Sequence, residues 1–220
     1  MRPLDKRLIP TTWEQKMEDT QTRDMNRIRL RLIDLTKSFF VDEPDAERLS
    51  RWRGIFAALG REQINTGLDQ AVEKIGILLD AKKLNEIQDE YYEVFGNPFD
   101  DQVVSLSASF YADGRSYGQT LADFRGFIQQ TDLIKNSQVI DAEDSLPVML
   151  DFLASMIEVK TREDVDTDKY QGVLVNDYLA PLASAFNKSL KNHQAADFYA
   201  ACGDFLQGYV ELEKGLFEPV

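Results

Sequence analysis

Apolar residues recur along most of this chain at steps of three and four, the period that lines one face of an α-helix. Met25, Ile28, Leu32, Leu35 and Phe39 predict a first amphipathic helix of about five turns, with Arg23, Arg27 and Arg31 on its outer face. Asp42-Glu43-Pro44 predicts a break and a fresh start, with proline near the first helical position. Leu49, Trp52, Phe56 and Leu59 then line a second helix, and Ile64, Leu68, Val72, Ile75 and Leu79 a third. A fourth uses Leu84, Ile87, Tyr91 and the Val94/Phe95 pair. It stops at Gly96-Asn97-Pro98, because proline disfavours helix in the residue before it.

The stretch 96–113 reads as irregular, with a short turn around 105–111. Helix resumes near Arg115 with Tyr117, Leu121, Phe124 and Ile128 facing inward. A polar connection over 132–144 leads into a helix through Leu146, Met149, Leu150, Leu153 and Ile157, and the charged run 160–169 predicts a second linker. Two helices close the chain. One runs through Val173, Leu174, Tyr178, Leu182, Phe186 and Leu190, with Pro181 as a kink, and the other through Phe198, Cys202, Phe205, Tyr209 and Leu212. Strand alternation is almost absent and no internal repeat is visible. The expectation is an all-α chain: a single helical-bundle domain of about eight principal helices over 21–220, behind an N-terminal arm at 1–20.

Charge narrows the partners. The 25 Lys+Arg and 38 Asp+Glu leave a net charge of −13, which repels phosphate backbones and anionic membranes and argues against nucleic acid. Residues 86–170 hold 18 acidic and 6 basic side chains, so nearly all the imbalance lies there. A solvated face is the plain reading of such a run, and a basic peptide is the ligand it would attract. One cysteine, Cys202, permits no internal disulfide and reads as a small core residue. Charges interrupt the N-terminus where a signal peptide needs an apolar stretch, and no run approaches the roughly 20 apolar residues that span a bilayer. A cytoplasmic location without membrane insertion is expected.

Catalytic chemistry is thin. The single histidine, His193, reads as an exposed loop residue and cannot supply the paired Glu-x-x-His elements of a two-iron bundle, nor a zinc site. Gly114 and Gly118 have a spacing faintly like a phosphate loop but lack its lysine, and the stretch reads as a glycine-rich helix start. The Asp100-Asp101 pair lacks a third carboxylate a turn later, where Val103 and Val104 stand. No catalytic residue, metal or cofactor is expected, and a binding protein is the more economical reading than an enzyme.

Three stretches bear a family pattern. Glu90-Tyr91-Tyr92-Glu93-Val94-Phe95-Gly96-Asn97-Pro98, followed by Ser109-Phe110-Tyr111, resembles the Tyr-x-x-Leu-Phe-x-Gly-Pro … Glu-Ser-x-Tyr pattern of the TorD/DmsD/NarJ family of redox-enzyme maturation chaperones. The segment 143–154, EDSLPVMLDFLA, is similar to that family's Pro-Asp-His-Leu … Leu-Glu-Phe-Met-Ala. Between them, Gly114-Arg115-Ser116-Tyr117-Gly118-Gln119 resembles the Arg-x-x-Gly-Gln helix start of the nitrate-reductase branch. Ser145 stands where the pattern has His, Glu143 replaces its proline, Met149 its first Glu and Asn97 its glycine, so no role of the family histidine carries over.

The resemblance implies a cytoplasmic, helical chaperone serving molybdenum oxidoreductases of anaerobic respiration. Such a chaperone binds the apo catalytic subunit at its basic twin-arginine or N-terminal leader until the molybdopterin cofactor is inserted. It also implies candidate residues: Asp141, Glu143, Asp144 and Asp151 as the acidic side, and Ser145, Leu146, Met149, Tyr91, Phe95 and Tyr111 as groove or hinge. Core packing is the competing reading for Tyr91, Phe95 and Tyr111, and helix N-capping for Asp144. A monomer, or a dimer exchanging helices through 160–169, is expected. The alternative function is a general helical adaptor with no leader specificity.

Overall fold

Short polar side chains set two of the helix starts. In the computed structural model, which describes residues 12–99, 102–163 and 165–217 with side chains from Thr20 on, α1 spans Thr12–Ser38 and enters the span read as an arm. Residues 1–11 and the Asp100-Asp101 pair lie outside the described residues. Asp45 caps α2 (Ala46–Leu59) by accepting from Arg48 N at 2.7 Å, so Pro44 stands just before the cap rather than inside the helix. Asn65 caps α3 (Thr66–Ala81) by accepting from Leu68 N at 2.9 Å.

The fourth helix, α4 (Leu84–Tyr91), widens into a π-helical segment, Tyr92–Gly96, and ends at the expected stop. A short α5 (Ala108–Asp113) forms within the stretch read as irregular, and α6 (Gln119–Ile128) begins later than expected. Tyr117 therefore does not face inward. It sits in the connecting turn at φ 60, three-quarters exposed. After the polar connection comes α7 (Leu146–Glu163). The charged run 160–169 is not a continuous linker, because α7 reaches Glu163 and α8 (Asp168–Val173) starts at Asp168.

A π-helical segment, Leu174–Leu179, joins α8 to α9 (Ala180–Asn192). Pro181 lies just beyond it. Proline lacks an N–H and crowds the preceding turn, and a widened turn takes up both defects. The last helix is α10 (Phe198–Gly215). Eight principal helices, with the six-residue α5 and α8 beside them, make the described residues all-α; the one extended contact among them is an antiparallel bridge, Ser107 to Ser145.

The core centres on α10, whose Phe198, Cys202, Phe205 and Tyr209 are buried as their spacing predicts. Two glycines let neighbours close on it. A Cβ at Gly203 would lie 2.7 Å from Asn187 Oδ1 on α9, and one at Gly208 would lie 2.9 Å from Leu68 Cγ on α3. Around them Phe39, Trp52, Phe56, Phe198 and Phe205 form a continuous aromatic cluster. Burial pushes the Cys202 thiol well above its ordinary pKa, as suits an inert packing residue.

Several expected faces do not hold, among them Ile64, which precedes α3 and is 39% exposed. His193 does lie between helices, but it is buried, and its Nδ1 accepts from Ala195 N at 3.2 Å. In α1 the stripe through Leu35 and Phe39 is buried, whereas Met25 and Ile28 are half exposed. The inward face of that half is polar instead: Asn26 and Arg29 are buried there, with Arg29 ion-paired to Glu213 at 2.6 Å.

Candidate functional site

The segment bearing the family pattern is stitched together by backbone. Val104 N donates to Val94 O at 2.8 Å, anchoring the chain after the π-helical turn. Leu146 N donates to Leu106 O at 2.9 Å and Ala108 N to Asp144 O at 3.0 Å, which forms the Ser107–Ser145 bridge. Asp144 is fully buried here. Its Oδ2 accepts from Ser109 N at 2.8 Å and from Ser107 Oγ at 2.9 Å. The N-cap of α5, Ser107, makes no capping bond of its own, so Asp144 caps α5 from across the bridge. The capping role holds, on another helix than its own, and the carboxylate is not presented to solvent.

Neighbouring candidates are also structural as the fold stands. Ser145 is buried in the bridge, and Leu146 and Met149 are fully buried in the core. Tyr91 and Phe95 are half buried, 5.1 Å apart by ring centroids, and both rings meet Tyr199. Tyr111 OH donates to Ser105 O at 2.8 Å and so holds the loop before α5. Burial pushes the Tyr91 and Tyr111 hydroxyls up to about 12, so both stay protonated.

Three of the acids do reach solvent. Asp141 is exposed, and its carbonyl accepts from Lys135 Nζ at 2.6 Å. Glu143 accepts from Arg125 Nε at 2.9 Å and Nη2 at 2.7 Å. Partial burial works to raise its pKa, but the Arg125 hydrogen bonds, a backbone hydrogen bond and the charges of Arg125 and Lys135 together outweigh this and hold it below the ordinary value. A depressed carboxyl stabilises the fold above the unfolded-state pKa, and that contribution is lost as pH falls through the folded value. Glu143→Gln is therefore expected to flatten the acid limb of stability against pH, read as urea midpoints from pH 6 down to pH 3. An unchanged limb would remove this pair from the account.

Asp151 lies apart from Glu143. It is half exposed on the outer face of α7 and paired with Lys37 at 2.5 Å. With Glu158 two turns on, it borders a cleft of about 300 Å³ between α7 and the polar connection, over a floor that includes Val148 and Phe152. Leu133 forms a wall of this cleft and of a second, about 350 Å³, bordered by Asp132, Glu163 and Asp166. Five carboxylates thus rim the two clefts, with Lys135 among them and Lys37 beside Asp151.

Of the residues expected to bind, only Asp151 lines these clefts. Glu158, missed in the sequence, had a readable signal: Asp151, Ser155 and Glu158 recur at helical spacing opposite the apolar face of α7. Among the described residues no cluster of side chains is arranged to hold a metal ion, and no helix is long and apolar enough to cross a membrane.

The sequence model of one family, described as nitrate reductase delta subunit, matches residues 61–196. That span takes in the bridge and α7, and leaves out α1, α2 and α10. No curated protein matches the chain.

Proposed function

Because the chain belongs to the nitrate reductase delta subunit family, molybdoenzyme maturation chaperones that act with a molybdoenzyme subunit and are not catalytic enzymes, we propose that it holds its client by a basic leader peptide laid along the α7 clefts. The client is the apo catalytic subunit, met in the cytoplasm and kept from export or docking until its cofactor is in place. The observation that carries this reading is the rim of five carboxylates along the two clefts, with Val148 and Phe152 in the floor of the first.

A twin-arginine leader has a basic head and an apolar body. Guanidinium groups bind carboxylates through two parallel hydrogen bonds, which an ammonium cannot match. An arriving arginine can therefore displace Lys37 from the half-exposed Asp151. Opposite charge speeds encounter and fixes direction, while apolar burial at about 25 cal/mol per Å² supplies most of the affinity.

Calorimetric titration with a twin-arginine peptide tests this. Each exposed pair is worth about 0.2–1 kcal/mol, so Asp151→Asn with Glu158→Gln should weaken binding about 2- to 30-fold and reduce its salt dependence. Equal affinity for a twin-lysine peptide, or for the doubly substituted protein, would refute the placement.

A further inference from the structure

In the middle of α1 the apolar residues Met25 and Ile28 are half exposed, without full cover among the described residues. Ile28 is 53% exposed, and with Leu32 it faces Ile55, Ala58 and Leu59 of α2 across a cleft of about 690 Å³. Arg27 and Arg31 stand on its rim beside Asp34; Arg27 makes an exposed pair with Asp24 at 4.0 Å, and Asp34 is paired with Arg51 at 3.5 Å. The rim is therefore basic on a protein of net charge −13, and the cleft is made of helices outside the family match.

We propose that this α1–α2 cleft is a second docking surface, which takes an amphipathic helix of a partner protein with an apolar seam and an acidic flank. Leucine-type side chains of such a helix fit between Ile28 and Leu59, and its carboxylates meet Arg27 and Arg31. Charge decides among occupants. A second copy docked about a two-fold axis would bring the same basic rim to both sides and supply no acidic flank. Residues 1–11 carry Arg2, Lys6 and Arg7 against Asp5 and would be repelled, as would a basic leader. A nucleic acid offers no apolar seam to fill the cleft.

The surface stands apart from the α7 clefts, so the test is run on the full chain carrying Asp151→Asn and Glu158→Gln. Two labelled helical peptides of about 20 residues share one leucine seam, flanked by glutamates in one and by lysines in the other. Fluorescence anisotropy is expected to give the glutamate peptide at least about tenfold tighter binding. Arg27→Glu with Arg31→Glu should reverse that preference, and Ile28→Glu should abolish binding with the circular dichroism melt unchanged. Equal binding of the two peptides, no binding of either, or indifference to the α1 substitutions overturns the proposal. So does a concentration-dependent dimer that Ile28→Glu dissolves. Leader binding to the unsubstituted protein is a separate titration, so one surface can fail without the other.

Discussion

Glu213→Ala is expected to lower the unfolding free energy by about 3–5 kcal/mol, the cost of leaving a buried charge without its partner. Arg29 and Glu213 keep only 8% and 2% of their side-chain surface exposed, and their contacts are dense. Arg29 Nη2 donates to Glu213 Oε2 at 2.6 Å and to Gln171 Oε1 at 2.8 Å, while Nε spans both carboxylate oxygens at 3.0 and 3.1 Å. Tyr209 OH adds a bond to Oε1 at 3.0 Å. Burial, and then the Glu213 charge, push its pKa far above the ordinary value and keep that hydroxyl a donor. Gln171 donates onward to Thr167 Oγ1 at 2.8 Å, which in turn donates to Met156 O at 2.9 Å. One network thus ties α1, α7, α8 and α10.

Removing the carboxylate strands a guanidinium that is only 8% exposed. At about 2–4 °C per kcal/mol for a chain of this size, the melting temperature should fall by roughly 6–20 °C. Arg29→Met combined with Glu213→Leu should cost less than either single change, because desolvation and attraction are removed together. A double variant less stable than both singles would mean that the network's geometry, rather than charge balance, holds the four helices.

That network marks where sequence reading stops. Helices whose apolar positions all face one core, such as α3 through Leu68, Val72, Ile75 and Leu79, are legible because period and burial agree. The stretch 25–29 in the middle of α1 is not, because burial there follows Asn26 and Arg29 while Met25 and Ile28 turn outward. A partner 184 residues away makes Arg29 a core residue, and no local pattern carries that information. Glu213 was fainter but readable, since it continues the Phe205, Tyr209 spacing of α10 with a charge. The family pattern draws attention to the segment 143–154, yet its conspicuous acid, Asp144, serves the bridge to α5. Of the carboxylates that rim the clefts, Asp151, Glu158 and Glu163 lie on α7, while Asp132 and Asp166 lie in the connections on either side of it.

Glu90→Ala is expected to cost about 2–4 kcal/mol, roughly 4–16 °C in melting temperature, although the residue opens a motif read for binding. The side chain is 5% exposed, and its Oε1 accepts from Asp197 N at 2.7 Å and Tyr199 N at 2.8 Å. Asp197, at the N-cap position of α10, makes no capping bond of its own. Glu90 thus caps the central helix from α4, as Asp144 caps α5 from across the bridge. Alanine leaves two backbone donors without an acceptor, at about 1–3 kcal/mol each, partly offset where water can reach them.

Glu90→Gln separates hydrogen bonding from charge, because the amide oxygen still accepts both bonds. It should cost about 1 kcal/mol and leave hydrogen exchange at Tyr199 near its original rate. Its remaining effect is on Lys82, which donates to Glu90 Oε2 at 3.1 Å. Partial burial works to lower the Lys82 pKa, but hydrogen bonds and charge from Glu90 and Asp197 outweigh it and raise the value. A raised lysine stabilises the fold below the unfolded-state value of about 10.4, and that contribution is lost as pH rises through the folded pKa. The alkaline loss should shrink in Glu90→Gln, while leader-peptide affinity at pH 7 stays as it was. If glutamine proves as costly as alanine, the Lys82 ion pair rather than the cap is what Glu90 contributes.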